Sequence, residues 1–200
     1  MEAAAIRQGP DTGRAARSRT VTWEDPLIGA RAAVSMSGLE YMQAIAQGEV
    51  PPPPIALLLD MAIVEVEPGR AVFELDPAEY QFNPIGSVHG GVLTTLLDSA
   101  MGCAVHAMLP AGSGYTTLEL KVNFLRRVTT QTGRLRCEGS VIHLGRTVAT
   151  AEARIVDGGG RLVAHATTTC LVIGPSSERQ TVGLRPKPPK PTADGSPGTS

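Results

Sequence analysis

Of the 200 residues, 42% are hydrophobic and 18% charged, which supplies one core of ordinary size and points to a single globular domain. A formal net charge of −1 leaves no broad electrostatic footprint for a nucleic-acid backbone or an anionic membrane, so neither is expected as a partner. Glycine (22) and proline (16) without a triplet period exclude collagen, and aromatic residues are few, at 4%.

Cys103, Cys137 and Cys170 are odd in number, widely spaced and set among small or apolar neighbours. They read as buried hydrophobes of a reducing compartment, and nothing has the spacing of a metal site, so neither a metal nor a cofactor is expected. The first twenty residues lack the apolar centre of a secretory signal. No run approaches the roughly 18 apolar residues of a membrane helix, and a cytoplasmic location is expected.

Residues 1–22 carry Arg7, Arg14, Arg17 and Arg19 with few large apolar side chains, and residues 174–200 repeat that composition with six prolines. Both are expected to be disordered tails, because they bury too little to offset the entropy of ordering. The RPKPPKP run near the end has the composition of a polyproline II segment that could meet an SH3-like groove, although a solvated extension is the preferred account. Between Ser35 and Ile173 there are nine basic and thirteen acidic residues, so the folded part is near −4 and the surplus positive charge sits at the ends.

Along the chain, Ser37 caps a short amphipathic helix with Leu39, Met42 and Ile45 on one face, which stops before Pro51 to Pro54. Alternation over 63–67 and 71–75, hinged at Pro68 and Gly69, predicts a hairpin. After the turn-rich FNPIGSVHGG, the segment 92–109 is too long for a strand and carries an apolar stripe through Leu93, Leu96, Leu97, Ala100, Ala104 and Met108. It is the predicted central helix. Four strands follow at 114–127, 132–142, 147–156 and 161–173, with two short turns between the last three. In the first of them, Leu118, Leu120, Val122 and Phe124 form the expected core face, opposite Thr117, Glu119, Lys121 and Asn123. The order predicts an α+β fold, an antiparallel sheet packed on one long helix.

Unusual residues concentrate between Asn83 and Ala100. Gly90 and Gly91 open the helix, where the first N–H groups have no intrahelical partner and a missing Cβ lets an oxygen approach. Asp98 stands about two turns into an otherwise apolar or hydroxylic helix, where a carboxylate needs a partner or a wet pocket. With His89 and Asn83 these are the parts of an acyl-transfer site: a polarising N–H and a carboxylate able to activate water or attack. A structural account uses the same residues, with Gly-Gly easing a tight turn, His89 capping the helix and Asp98 at its exposed edge. His106 and His165 read as structural histidines. There is no phosphate loop and no Gly-x-Ser-x-Gly elbow.

The run N-P-I-G-S-V-H-G-G, followed by an apolar helix with aspartate nine residues after the histidine, resembles the hotdog-fold thioesterase superfamily, in particular its PaaI-like acyl-CoA thioesterase branch. The likeness spans about Ser37 to Ile173, and the domain is expected to occupy 35–173. It implies a helix wrapped by five or six antiparallel strands, in homodimers or homotetramers whose active sites lie at the subunit interface. It also implies roles: Gly90 as oxyanion donor, Asp98 as general base or nucleophile, and Asn83 and His89 orienting water or the thioester. Thr117 would position water, reaching the site of a partner subunit. Gly145 and Arg146, in the turn after the second post-helix strand, would lie near the nucleotide end of coenzyme A, with Arg126, Arg127 and Gly91 as further contacts. The expected activity is hydrolysis of an acyl-CoA, without a cofactor. Alternatives are a hotdog hydratase acting on enoyl or 3-hydroxyacyl thioesters and a non-catalytic acyl-CoA-binding protein. Leu58, Met61 and Met101 are candidate pocket residues, and the low aromatic content weighs toward aliphatic acyl groups.

Overall fold

The computed structural model describes Gly13 and residues 15–175. Its first helix, α1 (Leu27–Ser35), was not foreseen; it is rich in glycine and alanine, so no apolar stripe marks it, and the Asp25 carboxylate accepts from the Leu27 N–H at 2.9 Å to start it. Ser37 then caps α2 (Gly38–Ala46) as predicted, in a reciprocal pair. Its hydroxyl accepts from the Glu40 N–H, and the Glu40 carboxylate accepts from the Ser37 N–H at 2.8 Å. The four prolines do not simply break the chain: Pro54 stands at the first position of α3 (Pro54–Leu59), where its missing N–H costs nothing.

The predicted hairpin is β1 (Met61–Glu67) and β2 (Arg70–Leu75), turned at Gly69 with φ 77°. The central helix, α4 (Gly90–His106), ends one turn earlier than its apolar pattern suggested, and Met108 lies outside it against Gly69. The remaining strands are β3 (Gly114–Phe124), β4 (Leu135–Leu144), β5 (Val148–Val156) and β6 (Leu162–Ile173). They form one antiparallel sheet in the order β1-β2-β4-β5-β6-β3, wrapped around α4. Leu93, Leu96, Leu97, Ala100, Met101 and Ala104 of α4 are buried in the core against it. Met101 is therefore a core residue rather than a pocket residue.

Strand β3 departs from the predicted pattern. A bulge between Thr117 and Glu119 inserts Leu118 as an unpaired extra residue opposite β6. The alternation changes phase there, so Tyr115 and Thr117 share the helix side with Leu120 and Val122, while Leu118 is 59% exposed. Phe124, expected in the core, is 51% exposed at the strand's end.

Of the stretch 1–22, residues 15–22 form neither helix nor strand but touch the domain through Arg17 and Arg19. Arg7, Arg14 and the RPKPPKP run lie outside the described residues.

His106 ends α4 between the rings of Tyr41 and Tyr115, with centroids 5.7 and 5.9 Å away, and its buried Nδ1 has no hydrogen-bond partner among the described residues. Burial holds its pKa below the ordinary value of 6.5. The folded chain thus keeps it neutral where the unfolded chain would protonate it, and the unfolded state binds more protons below about 6.5. The urea midpoint is expected to fall between pH 7 and 5.5, with a smaller fall in His106→Phe. A second expectation concerns Gly139 of β4, whose added Cβ would lie 2.4 Å from the Ala100 carbonyl of α4. Gly139→Ala should cost about 1–3 kcal/mol in urea unfolding, because neither backbone can retreat. Gly158→Ala, with open space around it, should leave stability within about 0.5 kcal/mol.

Candidate active site

The loop before α4 is organised by Asn83. Its side-chain oxygen accepts from the Ile85 and Ser87 N–H groups at 3.1 and 3.2 Å, and its amide nitrogen donates to the Ser87 hydroxyl at 3.0 Å. Arg127 straps the same loop, donating to the Ile85 and Gly86 carbonyls at 3.0 Å. The chain then reaches α4 through His89, whose Nδ1 accepts from the Gly91 N–H at 2.8 Å. That cap engages the Gly91 donor, and His89 and Gly91 face an outer groove shared with Tyr80 and Thr95. The Gly90 N–H has no partner among the described residues. Gly90 lines a separate cleft of about 430 Å³ with Asn83, Ile85, Phe124, Arg126 and Arg127. Phe124 forms its wall: a Cβ on Gly90 would stand 3.2 Å from the ring.

Asp98 belongs to another part of the helix surface. It is half-buried, and the Thr117 hydroxyl donates to its Oδ1 at 2.9 Å. Both residues come from one chain, and the bulge in β3 is what turns Thr117 toward α4. No described residue partners Oδ2. Asp98 and Ser99 open on a cavity of about 400 Å³ beneath α2 and α3, walled by Met42, Ile45, Ile55, Leu57 and Met61. Tyr41, Phe73 and Tyr115 also line it. Three of the chain's seven aromatic residues thus meet in one cavity, so the low overall content does not describe this site. Cys103 lies there as well, its thiol pushed up to about 12 by burial and, second, by the Asp98 charge, and Tyr115 is raised well above its ordinary value mainly by burial. Both stay protonated at neutral pH. Of the other candidate lining residues, Met61 is in the wall and Leu58 is half exposed on the outer side of α3.

The basic candidates divide between two ends of the sheet. Arg126 and Arg127 flank the Gly90 cleft, Arg126 donating to the Leu162 carbonyl at 2.6 Å. Each guanidinium has five N–H donors, so both retain free ones. Gly145 and Arg146 form the β4–β5 turn, where the Gly145 N–H donates to the Val148 carbonyl at 2.8 Å and Arg146 is exposed. Val148 pairs with Leu171, and Leu171 with Thr116, so Arg146 lies at the Thr117 end of the sheet and not with Arg126 and Arg127.

Gly90 and Asp98 are eight residues apart on one helix, which separates them by about 12 Å along its axis. A carbonyl group only about 1.2 Å long cannot lie within roughly 3 Å of both. One chain therefore holds two half-sites, a donor with its basic flank and a carboxylate with its apolar cavity. Among the described residues no cluster of His, Cys, Asp and Glu could hold a metal ion, and no helix is long and apolar enough to cross a membrane.

The family model described as Thioesterase superfamily matches residues 85–164, which include Gly90, Asp98 and Thr117, helix α4, strands β3 to β5 and the start of β6. A Saccharolobus solfataricus protein whose name marks it as a candidate esterase is 36% identical over 109 residues, covering 54% of this chain and 75% of its own. The 1,4-dihydroxy-2-naphthoyl-CoA hydrolase of Listeria monocytogenes is 28% identical over 114 residues, 57% of this chain and 91% of its own. Among solved structures, a candidate thioesterase related to phenylacetic acid degradation from Ralstonia eutropha JMP134 superposes with TM-score 0.60 at 32% identity, over 66% of this chain and 98% of that one. The PaaI protein of the E. coli phenylacetic acid degradation operon gives TM-score 0.60 at 25% identity, over 70% and 98%. A Streptococcus mutans protein determined with acetyl CoA bound gives TM-score 0.53 at 27% identity, over 57% and 90%.

Proposed function

This chain belongs to the thioesterase superfamily and has its hotdog fold, and on that premise we propose that it hydrolyses acyl-CoA thioesters with Asp98 and the Gly90 N–H as the reacting groups. The observation that carries this reading is the Asp98 carboxylate, fixed by the Thr117 hydroxyl and open at Oδ2, at the edge of an apolar cavity. A passive apolar pocket has no use for a half-buried acid, whereas hydrolysis needs one. The naming of the Listeria relative as a CoA-ester hydrolase and the acetyl CoA in the Streptococcus structure support coenzyme A as the carrier.

In this scheme Asp98 Oδ2 takes a proton from water as the water oxygen bonds to the thioester carbon, or attacks that carbon itself to form an anhydride that water then cleaves, regenerating the carboxylate. The unpartnered Gly90 N–H, at the positive end of α4, stabilises the oxyanion that forms. Collapse breaks the carbon–sulfur bond, and the CoA thiolate leaves and takes up a proton. Thr117 holds Oδ1 so that Oδ2 faces the reacting carbon. The acyl group lies in the cavity beside Asp98, where about 400 Å³ at roughly 30 Å³ per water-sized group holds about a dozen non-hydrogen atoms.

The two half-sites are brought together by a second copy of the chain. Strand β3 is one of the sheet's two edges and exposes Leu118 and Phe124. Antiparallel pairing of β3 with β3 of another copy sets the Phe124 end of one strand beside the Thr117 end of the other. The Gly90 cleft of each copy then faces the Asp98 cavity of the other, and Arg126 and Arg127 of one copy join Arg146 of the other at the phosphates of coenzyme A. Asn83 serves by holding the cleft loop and His89 by capping α4.

Asp98→Asn is expected to fold normally and lose about a hundredfold or more of its turnover, and Thr117→Ala about tenfold, followed as thiol release from acetyl-, hexanoyl-, phenylacetyl- and palmitoyl-CoA. Unimpaired hydrolysis by Asp98→Asn would overturn the assignment, and binding by the wild-type chain without thiol release would make it a carrier. Shared sites have their own test. Gly90→Pro removes the N–H at a helix position that tolerates proline, and His89 already has the extended backbone that proline requires before it. Co-assembly of Gly90→Pro with Asp98→Asn chains should restore about half of the wild-type activity per mixed dimer, because one of its two sites is intact. No restoration is expected if each site is built from one chain.

A further inference from the structure

Helix α3 is a wall of the cavity beside Asp98, contributing Ile55, Ala56 and Leu57. It has six residues, too few to be stable alone, because helix nucleation is unfavourable and each added bond returns little. Ile55 and Leu58 are 43% and 50% exposed, so burial does not hold it firmly either. Its last carbonyls have no intrahelical partners and need others.

Those partners come from outside the helix. Arg19 donates to the Leu58 carbonyl at 2.6 Å and to the Leu57 carbonyl at 3.1 Å, and the Gln81 amide donates to the Leu59 carbonyl at 2.8 Å. The same guanidinium pairs with Asp60 Oδ1 at 2.8 Å and lies 4.0 Å from the centroid of the Tyr80 ring, while the Tyr80 hydroxyl donates to Asp60 Oδ2 at 2.9 Å. Asp60, which ends α3 at φ 53°, is the one non-glycine residue with positive φ among those described. Arg19 therefore binds the helix end, the left-handed residue that terminates it and the ring beneath, and its side chain is only 28% exposed.

We infer that Arg19 is a positioning residue for acyl specificity, a strut by which the N-terminal segment holds the α3 wall and so sets the size of the cavity. This rests on the reading that the cavity takes the acyl group. A planar guanidinium serves two carbonyls and a carboxylate at once; the lysine ammonium is a point charge and cannot reproduce that fork. Arg17 is the natural control, since its ion pair with Glu79 is between side chains 78% and 60% exposed and holds no helix end.

The experiment combines acyl-CoA kinetics with amide hydrogen exchange on the full chain. Arg19→Ala should raise KM for hexanoyl- and octanoyl-CoA about tenfold with kcat nearly unchanged, and narrow the discrimination between octanoyl- and palmitoyl-CoA. Arg19→Lys should recover only part of this, and Arg17→Ala should match the wild type. Exchange over 54–60 should quicken about tenfold in Arg19→Ala with the sheet unaffected. An unaltered chain-length profile, an equal fall in kcat for every substrate, or unchanged exchange at α3 would each overturn the inference. Failure of the wild-type chain to hydrolyse any acyl-CoA would instead overturn the functional reading and, with it, the specificity role, while exchange would still report whether Arg19 holds α3.

Discussion

The backbone of α4 lies so close to the sheet that Gly139 has no room for a Cβ against Ala100, and Gly102 has none beneath the Tyr115 hydroxyl. A helix held at that distance buries Leu97, Ala100 and Met101 completely and cannot rotate without forcing backbone into backbone. Asp98 and Ser99 are thereby assigned to the arc of the helix that leaves the sheet and faces the cavity under α2 and α3. The same rigidity makes α4 a ruler. Its rise sets the backbone separation of Gly90 and Asp98, and the short aspartate side chain cannot close that gap. The separation of the two half-sites is thus a property of helix geometry.

The bulge in β3 is the second device on which the site depends. Strict alternation would turn either Thr117 or the Leu120 and Val122 pair away from α4, because their parities differ. One inserted residue reconciles them, sealing the core with Leu120 and Val122 while placing a hydroxyl on Asp98. The cost is Leu118, extruded on the unpaired edge of the sheet, where an exposed apolar side chain favours pairing with another strand.

Features encoded by local pattern were legible in the sequence: the Ser37 cap, the α4 stripe, the β1–β2 hairpin and all four later strands to within three residues. The Gly-Gly helix start and the isolated acid were legible too, and the structure leaves the Gly90 N–H without a partner among the described residues and gives Asp98 the Thr117 hydroxyl. What escaped notice depends on tertiary context. Helix α1 has no apolar period, and α3 follows prolines that read as a break when one of them is its first residue. A bulge leaves no mark in an alternating run. His89 and Gly91 looked like a pair with Gly90, but a three-residue run around a helix points in three directions, and the cap turns those two into a different groove.

Composition averages hid the remaining features, because chemistry acts locally. Seven aromatic residues in 200 are few, yet three of them line one cavity, so its character cannot be inferred from the average. The arginine-rich start of the chain, likewise, has few large apolar side chains and would be expected to order nothing by itself. One guanidinium in it nevertheless meets several unsatisfied groups at the end of a six-residue helix. The interaction is favourable because of the other side: α3 presents carbonyls that require donors whether or not the segment that supplies them has any fold of its own. A segment without helix or strand can therefore carry the single residue that satisfies the unpartnered end of a short helix beside a cavity.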